Sequence, residues 1–74
     1  MIRKRSVAIN GHRTSISIED RFWEMLGVIA TNRQVSVAQL VAEIDAARAA
    51  SDNLSSALRL HILEWALAQG HRRD

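Results

Sequence analysis

The chain has no cysteine, which excludes both a disulfide framework and a thiolate zinc site as sources of stability. It has no proline either, so no helix is broken from within by a residue lacking its N–H. Three glycines are too few and too scattered for a phosphate-cradling loop. No apolar run approaches the roughly 18 residues needed to cross a bilayer, and no signal-peptide pattern opens the chain. A soluble, cytoplasmic protein without a membrane partner is the expectation. At 74 residues there is room for one domain, whose core supplies only a few kcal/mol of net stability. With disulfides and thiolate metal sites excluded, dimerisation is the remaining route to a stable fold.

Acidic residues are missing from the first 18 positions. Arg3, Lys4, Arg5 and Arg13 all precede Glu19, while the whole chain carries a net charge of only +2. Such asymmetry points to a polyanion such as nucleic acid, against the plainer reading of a solvated basic terminus.

The segment His12-Arg13-Thr14-Ser15-Ile16-Ser17-Ile18 alternates with the period of a strand. Arg13, Ser15 and Ser17 share one face, and Thr14, Ile16 and Ile18 the other. A lone strand leaves its peptide groups unpaired, so this one needs a partner from its own chain or from a second copy. Arg5 to Ile9 alternates too, and Asn10-Gly11 is the preferred dipeptide of a two-residue hairpin turn. A hairpin there pairs Ile9 with His12, Val7 with Thr14 and Arg5 with Ile16, and on the opposite face Ala8 with Arg13 and Ser6 with Ser15. The alternative is a loose joint between a basic arm and the strand, so residues 1–11 read as arm or flanking strand and 12–18 as the ribbon strand.

Helical spacing follows. Residues 20–32 carry an apolar stripe of Phe22, Met25, Leu26 and Ile29, broadened by Trp23 and Val28, behind the acidic start Glu19-Asp20. Ser36 and Gln39 have capping-box spacing and open a helix over 36–50, with Val37, Leu40, Val41 and Ile44 on its apolar face. Asn53 caps a third helix over 54–69, closed by Gly70 and followed by a basic tail over 70–74. That third helix bears Leu54, Ala57, Leu58, Leu60, Ile62, Leu63, Trp65 and Leu67, more apolar surface than one face requires. It therefore belongs in a core that a partner subunit completes. No internal repeat or low-complexity segment is visible.

Few residues support catalysis. His12, His61 and His71 lack the spacing of a helical metal site, and Glu43 and Asp45, two apart on a helix, face different directions. No serine sits in a nucleophile elbow or has a base and an orienting acid beside it. Neither an enzyme nor a metal or other cofactor is expected. The polar strand face is the remaining candidate: Arg13 suits the O6 and N7 acceptors of guanine, and serine hydroxyls suit most base edges. The same face is also what the water side of an ordinary antiparallel sheet looks like. Free N–H groups near Ser36, with Arg33 in the preceding turn, suit a phosphate, or simply a helix cap.

The order strand, helix, capped helix resembles the ribbon-helix-helix family, to which the Arc and MetJ repressors belong. Arg13-Thr14-Ser15-Ile16-Ser17-Ile18-Glu19 with Phe22-Trp23-Glu24-Met25-Leu26 resembles its strand and first helix, and Val35-Ser36-Val37-Ala38-Gln39-Leu40-Val41 the start of its second. More narrowly, Lys4-Arg5-Ser6-Val7, Gly11 to Ser17, Leu40 to Asp45 and Asn53-Leu54-Ser55-Ser56-Ala57-Leu58-Arg59 resemble a branch of short bacterial members with a longer C-terminal part. The resemblance implies a mainly α fold with a short N-terminal β-ribbon, a ribbon-helix-helix homodimer with an additional C-terminal helix. Two copies of the ribbon strand would pair antiparallel and enter the major groove of double-stranded DNA, with Ser15 near the twofold axis. Arg13, Ser15 and Ser17 would contact bases. Ser36 and Val37 would clamp phosphate, and Arg3, Lys4, Arg5 and Arg33 would add backbone affinity. Ile16, Ile18, Phe22, Leu26, Leu40, Ile44, Leu58, Ile62 and Trp65 would form the dimer core. Asn53-Leu54-Ser55-Ser56 also resembles a second-helix start, leaving two candidates for the phosphate clamp. The expected function is a repressor that occupies an operator. An antitoxin holding a protein partner through its C-terminal helix, or an adaptor that binds no DNA, are the alternatives.

Overall fold

The computed structural model describes residues 1–71. Its first third is governed by Asn10 and Gly11, whose φ angles of 51° and 81° are both positive, as a type I′ turn requires. Strands β1 (Ile2–Ile9) and β2 (His12–Glu19) therefore fold back antiparallel, with Ile9 opposite His12, Val7 opposite Thr14, Ser6 opposite Ser15 and Arg5 opposite Ile16. This is the register expected for a hairpin, and residues 2–9 are a strand and not a loose arm. The partner of the ribbon strand within this chain is β1.

Alternation sorts the sheet into two faces. Val7, Ile9, Ile16 and Ile18 are buried beneath it, while Lys4, Ser6, Ala8, Arg13, Ser15 and Ser17 are all exposed above it. Helix α1 (Asp20–Arg33) begins directly after β2, with Asp20 in its first turn, where a carboxylate favours the exposed N–H groups. It buries Leu26, Ile29 and Ala30 and half-buries Phe22, Trp23 and Met25. Val28 does not join that stripe: it stands on the solvent side with Glu24, Gly27 and Thr31. The helix stops where Gln34 turns left-handed at φ 61°. There the Val35 N–H donates to the Ala30 carbonyl at 3.0 Å, and the Val35 side chain packs against the core, as in a Schellman closure.

Helix α2 (Val37–Ala47) is capped by Ser36, whose Oγ accepts from the Gln39 N–H at 3.0 Å. It ends at Ala47, short of residue 50, because Arg48 becomes extended and its guanidinium binds both the Asp45 carboxylate at 2.7 Å and the Asp52 carbonyl. Helix α3 (Leu54–His71) starts from Asn53, whose Oδ1 accepts from the Ser56 N–H at 2.8 Å, and continues through Gly70 instead of stopping before it. From Arg72 onward, the basic tail lies outside the described residues.

The helices pack under the inner face of the hairpin. Leu26, Ile29, Leu40, Val41 and Leu58 are fully enclosed with Ile16 and Ile18, and Ile44 and Ile62 nearly so. Phe22 and Trp65 close the periphery, half-buried. The nine residues expected to form a dimer core thus meet inside one chain. The surplus apolar surface of α3 is left outside: Leu60, Leu63 and Leu67 are 58%, 51% and 55% exposed.

Candidate nucleic-acid interface

The hairpin's outer face is flat because its side chains are small. Ser6, Ala8, Ser15 and Ser17 fill its middle, with Lys4 opposite Ser17 at one end and Arg13 opposite Ala8 at the other. A two-stranded ribbon of this width fits the major groove, and small side chains let its backbone approach the base edges. The expected base readers Arg13, Ser15 and Ser17 are brought together here. Lys4, Ser6 and Ala8 share the face. The signal for them was already in the hairpin register, which pairs Ser6 with Ser15 and Ala8 with Arg13.

The basic N-terminus is split by the pleat. Arg3 and Arg5 lie on the inner side, where Arg3 Nε stands 3.4 Å and Arg5 Nη2 3.2 Å from the Asp20 carboxylate. The Arg5 guanidinium also stacks 4.7 Å from the centroid of the Trp23 ring, a cation–π contact. Arg33 reaches Glu43 at 2.7 Å, with both side chains 42% exposed, a pairing worth little in water and easily exchanged for a phosphate. Among the described residues, Lys4, Arg13 and Arg21 have no carboxylate partner. Two of these three cations stand on the outer face of the sheet.

The two helix N-termini differ in their surroundings. Ser36 and Val37 open α2 after the Arg33 turn, and the Ser36 hydroxyl already satisfies one N–H. Leu54, in the first turn of α3, lines a hollow with Ile9, Asn10, His12 and Thr14 from the hairpin, Asp45 of α2 and Arg48 just beyond its end. The Asn53 cap therefore stands beside the turn end of the ribbon, while Asp45 and Arg48 satisfy each other there.

At the other end of the ribbon, Arg59 of α3 reaches back to β2. Its Nε donates to the Glu19 carboxylate at 2.9 Å and its Nη2 approaches the Ser17 carbonyl at 3.5 Å. The Arg59 hydrogen bond, helped by the Glu19 backbone N–H, holds the Glu19 carboxyl below the ordinary carboxylate value.

A family model described as a ribbon-helix-helix domain matches residues 2–66, so the chain belongs to the ribbon-helix-helix family, a class of DNA-binding, generally dimeric domains. The match begins in β1 and runs well into α3, so both are part of the matched domain. No curated protein and no solved structure matches the chain. Among the described residues, no helix is long and apolar enough to cross a membrane.

Proposed function

We propose that the protein is a sequence-specific transcriptional regulator that binds double-stranded DNA through the outer face of its hairpin, with no catalytic step and no cofactor. The observation that carries this reading is the exposed, flat polar face on which Lys4 and Arg13 stand, among the described residues, without carboxylate partners, while Arg3, Arg5 and Arg59 nearby are all paired. An unpaired guanidinium beside small hydroxyl side chains is suited to guanine. In keeping with its family, the chain works in the cytoplasm as a homodimer, and occupation of an operator makes it a repressor. The N-terminal turn of α3, beside the ribbon, serves as phosphate clamp more readily than that of α2.

Selection of bound duplexes from a randomised pool at moderate salt tests this. A defined motif is expected. R13A should lose roughly tenfold or more in affinity for that motif and much less for random sequence. An unenriched pool, or equal losses on both duplexes, rejects base readout. A second reading rests on the exposed Leu60, Leu63 and Leu67 row of α3, which suits a protein partner, as in an antitoxin that holds its toxin. A toxin-like reading frame beside the gene, whose product binds the wild-type chain but not L63D, would favour it.

A further inference from the structure

The hairpin has two outer edges, and its register says which peptide groups face each. The Asp20 N–H donates to the Met1 carbonyl at 3.1 Å, and Ile9 and His12 close a two-residue turn as a pair. Even-numbered residues of β2 and odd-numbered residues of β1 therefore bond each other across the ladder. The peptide groups of Arg13, Ser15 and Ser17 point out of the β2 edge, and those of Lys4, Ser6 and Ala8 out of the β1 edge. The β2 edge is bounded by the turn at one end and by Arg59 at the other, whose Nη2 stands 3.5 Å from the Ser17 carbonyl while Glu19 holds its Nε at 2.9 Å. Ser15 is the middle of the outward residues between these bounds. A second copy turned about Ser15 sets each Arg13 opposite a Ser17 and Ser15 opposite its own equivalent, so all three outward residues are used. The Ser17 carbonyl has two lone pairs and accepts from Arg59 and from the ladder together.

A dimer joined in this way is a sheet of four strands, in the order β1-β2-β2-β1. At about 4.8 Å per strand its outer strands lie about 14 Å apart, whereas the major groove is only about 12 Å wide. The central β2 pair enters the groove, and each β1 is left over a rim, beside the phosphates. Three features of β1 suit that position. Among the described residues, no hydrogen bond from outside the hairpin reaches the outward peptide groups of Lys4, Ser6 and Ala8, so their N–H groups are free to donate sideways to phosphate oxygens. Ser6 and Ala8 are exposed and short, which lets a sugar-phosphate chain approach the strand. Lys4 stands opposite Ser17, about 7 Å along the ribbon from the dyad, at the end of β1 away from the turn. The N-terminal turn of α3 lies beside the turn end, so the two phosphate contacts bracket the rim strand.

We infer that β1 is the rim strand of a four-stranded dimer sheet, holding the DNA backbone through the Lys4 ammonium group and the outward N–H groups of Lys4, Ser6 and Ala8, while the central β2 pair reads the bases. This rests on the DNA-binding reading above and deepens it. The two strands of one hairpin then have different tasks although they share one exposed face: Arg13 beside the dyad confers specificity, and Lys4 on the flank adds affinity that is blind to sequence.

Two experiments on the full chain test this. In the first, K4A is compared with the wild type on the selected motif and on random duplex across a range of salt. The loss of affinity should be equal on both, and the salt slope should flatten by about two units per dimer, one for each subunit. K4R should restore the slope, and selection with K4A should return the same motif. A changed motif would make Lys4 a base reader, and an unchanged slope would leave it only a charge that guards an exposed edge. Either result overturns the inference while DNA reading stands. If the wild-type pool is unenriched, or R13A leaves the motif unchanged, the DNA-reading proposal itself fails. In the second, S15C and S6C are oxidised separately without DNA and run on a non-reducing gel. Two Ser15 residues opposed in a hydrogen-bonded pair stand about 5.5 Å apart at Cα, within reach of a disulfide, so S15C should become a covalent dimer. Ser6, one strand further out on each side, lies about 14 Å from its equivalent, and S6C should stay monomeric. A monomeric S15C or a covalent S6C dimer would overturn the strand order whatever the protein does on DNA.

Discussion

Replacing Leu58 by alanine is the sharpest test of how this small domain is held together. Leu58 is 0% exposed and lies in the core with Ile16, Ile18, Leu26, Leu40 and Val41. The substitution removes three buried carbons, each worth about 0.8 kcal/mol of transfer, and leaves a cavity where α3 packs against β2, α1 and α2. Together these amount to about 3 kcal/mol or somewhat more. For a chain of this length the whole folding free energy is roughly 4–11 kcal/mol, so the loss is a large fraction of it. A fall in Tm of about 12–24 °C is expected, at 4–8 °C per kcal/mol for a domain of this size. Urea unfolding followed by the fluorescence of Trp23 and Trp65, at two protein concentrations, measures it. The parallel variant L63A removes a side chain that is 51% exposed and should cost less than about 0.5 kcal/mol. A cost below about 1 kcal/mol for L58A would refute the reasoning, because α3 would then be an appendage to the core and not part of it. A larger cost for L63A than for L58A, growing with dilution, would show that α3 is stabilised mainly by a second chain.

Further outcomes follow from local geometry. Gln34 holds φ 61° at the end of α1, where a side chain costs about 1 kcal/mol that glycine does not. Q34G should raise stability by about that amount in the same urea titration. Glu19 titrates below its ordinary value because Arg59 hydrogen-bonds its charged form. Its contribution to folding is therefore present above the ordinary carboxylate value and lost as pH falls through the lowered one. R59A should return Glu19 upward, read by NMR titration of its side-chain carboxyl, and should flatten the acid limb of the stability profile.

Much of the fold was legible because short-range chemistry decides it. Asn10-Gly11 specifies a turn with two positive φ angles, and the turn sets the register of every pair behind it. Ser36 and Asn53 announce helix starts through the oxygen each offers to an N–H three residues on. The end of α2 was missed although its cause is local: the helix stops early because Arg48 reaches Asp45 and Asp52, three and four residues away, a choice that helical periodicity does not contain. Val28 was misplaced because the apolar stripe of α1 is narrower than its apolar residues allow. Among the candidate site residues, Arg13, Ser15 and Ser17 shared a face by alternation alone. Lys4 was grouped with Arg3 and Arg5 as a phosphate contact because charge along a sequence has no side. The pleat gives it one, sending Arg5 to Asp20 and Trp23 and leaving Lys4 on the outer face.

The sequence by itself determined the local conformations: the hairpin turn, the alternation of the strands, the helix caps and the apolar stripes, all of which depend on neighbours within a few positions. Only the tertiary structure decided what those surfaces meet. The core closes within one chain because β1 pairs with β2 above the helices and because α3 lays Leu58 and Ile62 beneath the sheet. Burial and ion pairing depend on contacts between distant segments, 40 residues apart for Arg59 and Glu19, and no periodicity in the chain records such a distance. For that reason the absence of cysteine identified the need for another source of stability, but the fold alone showed how much of it the chain supplies to itself.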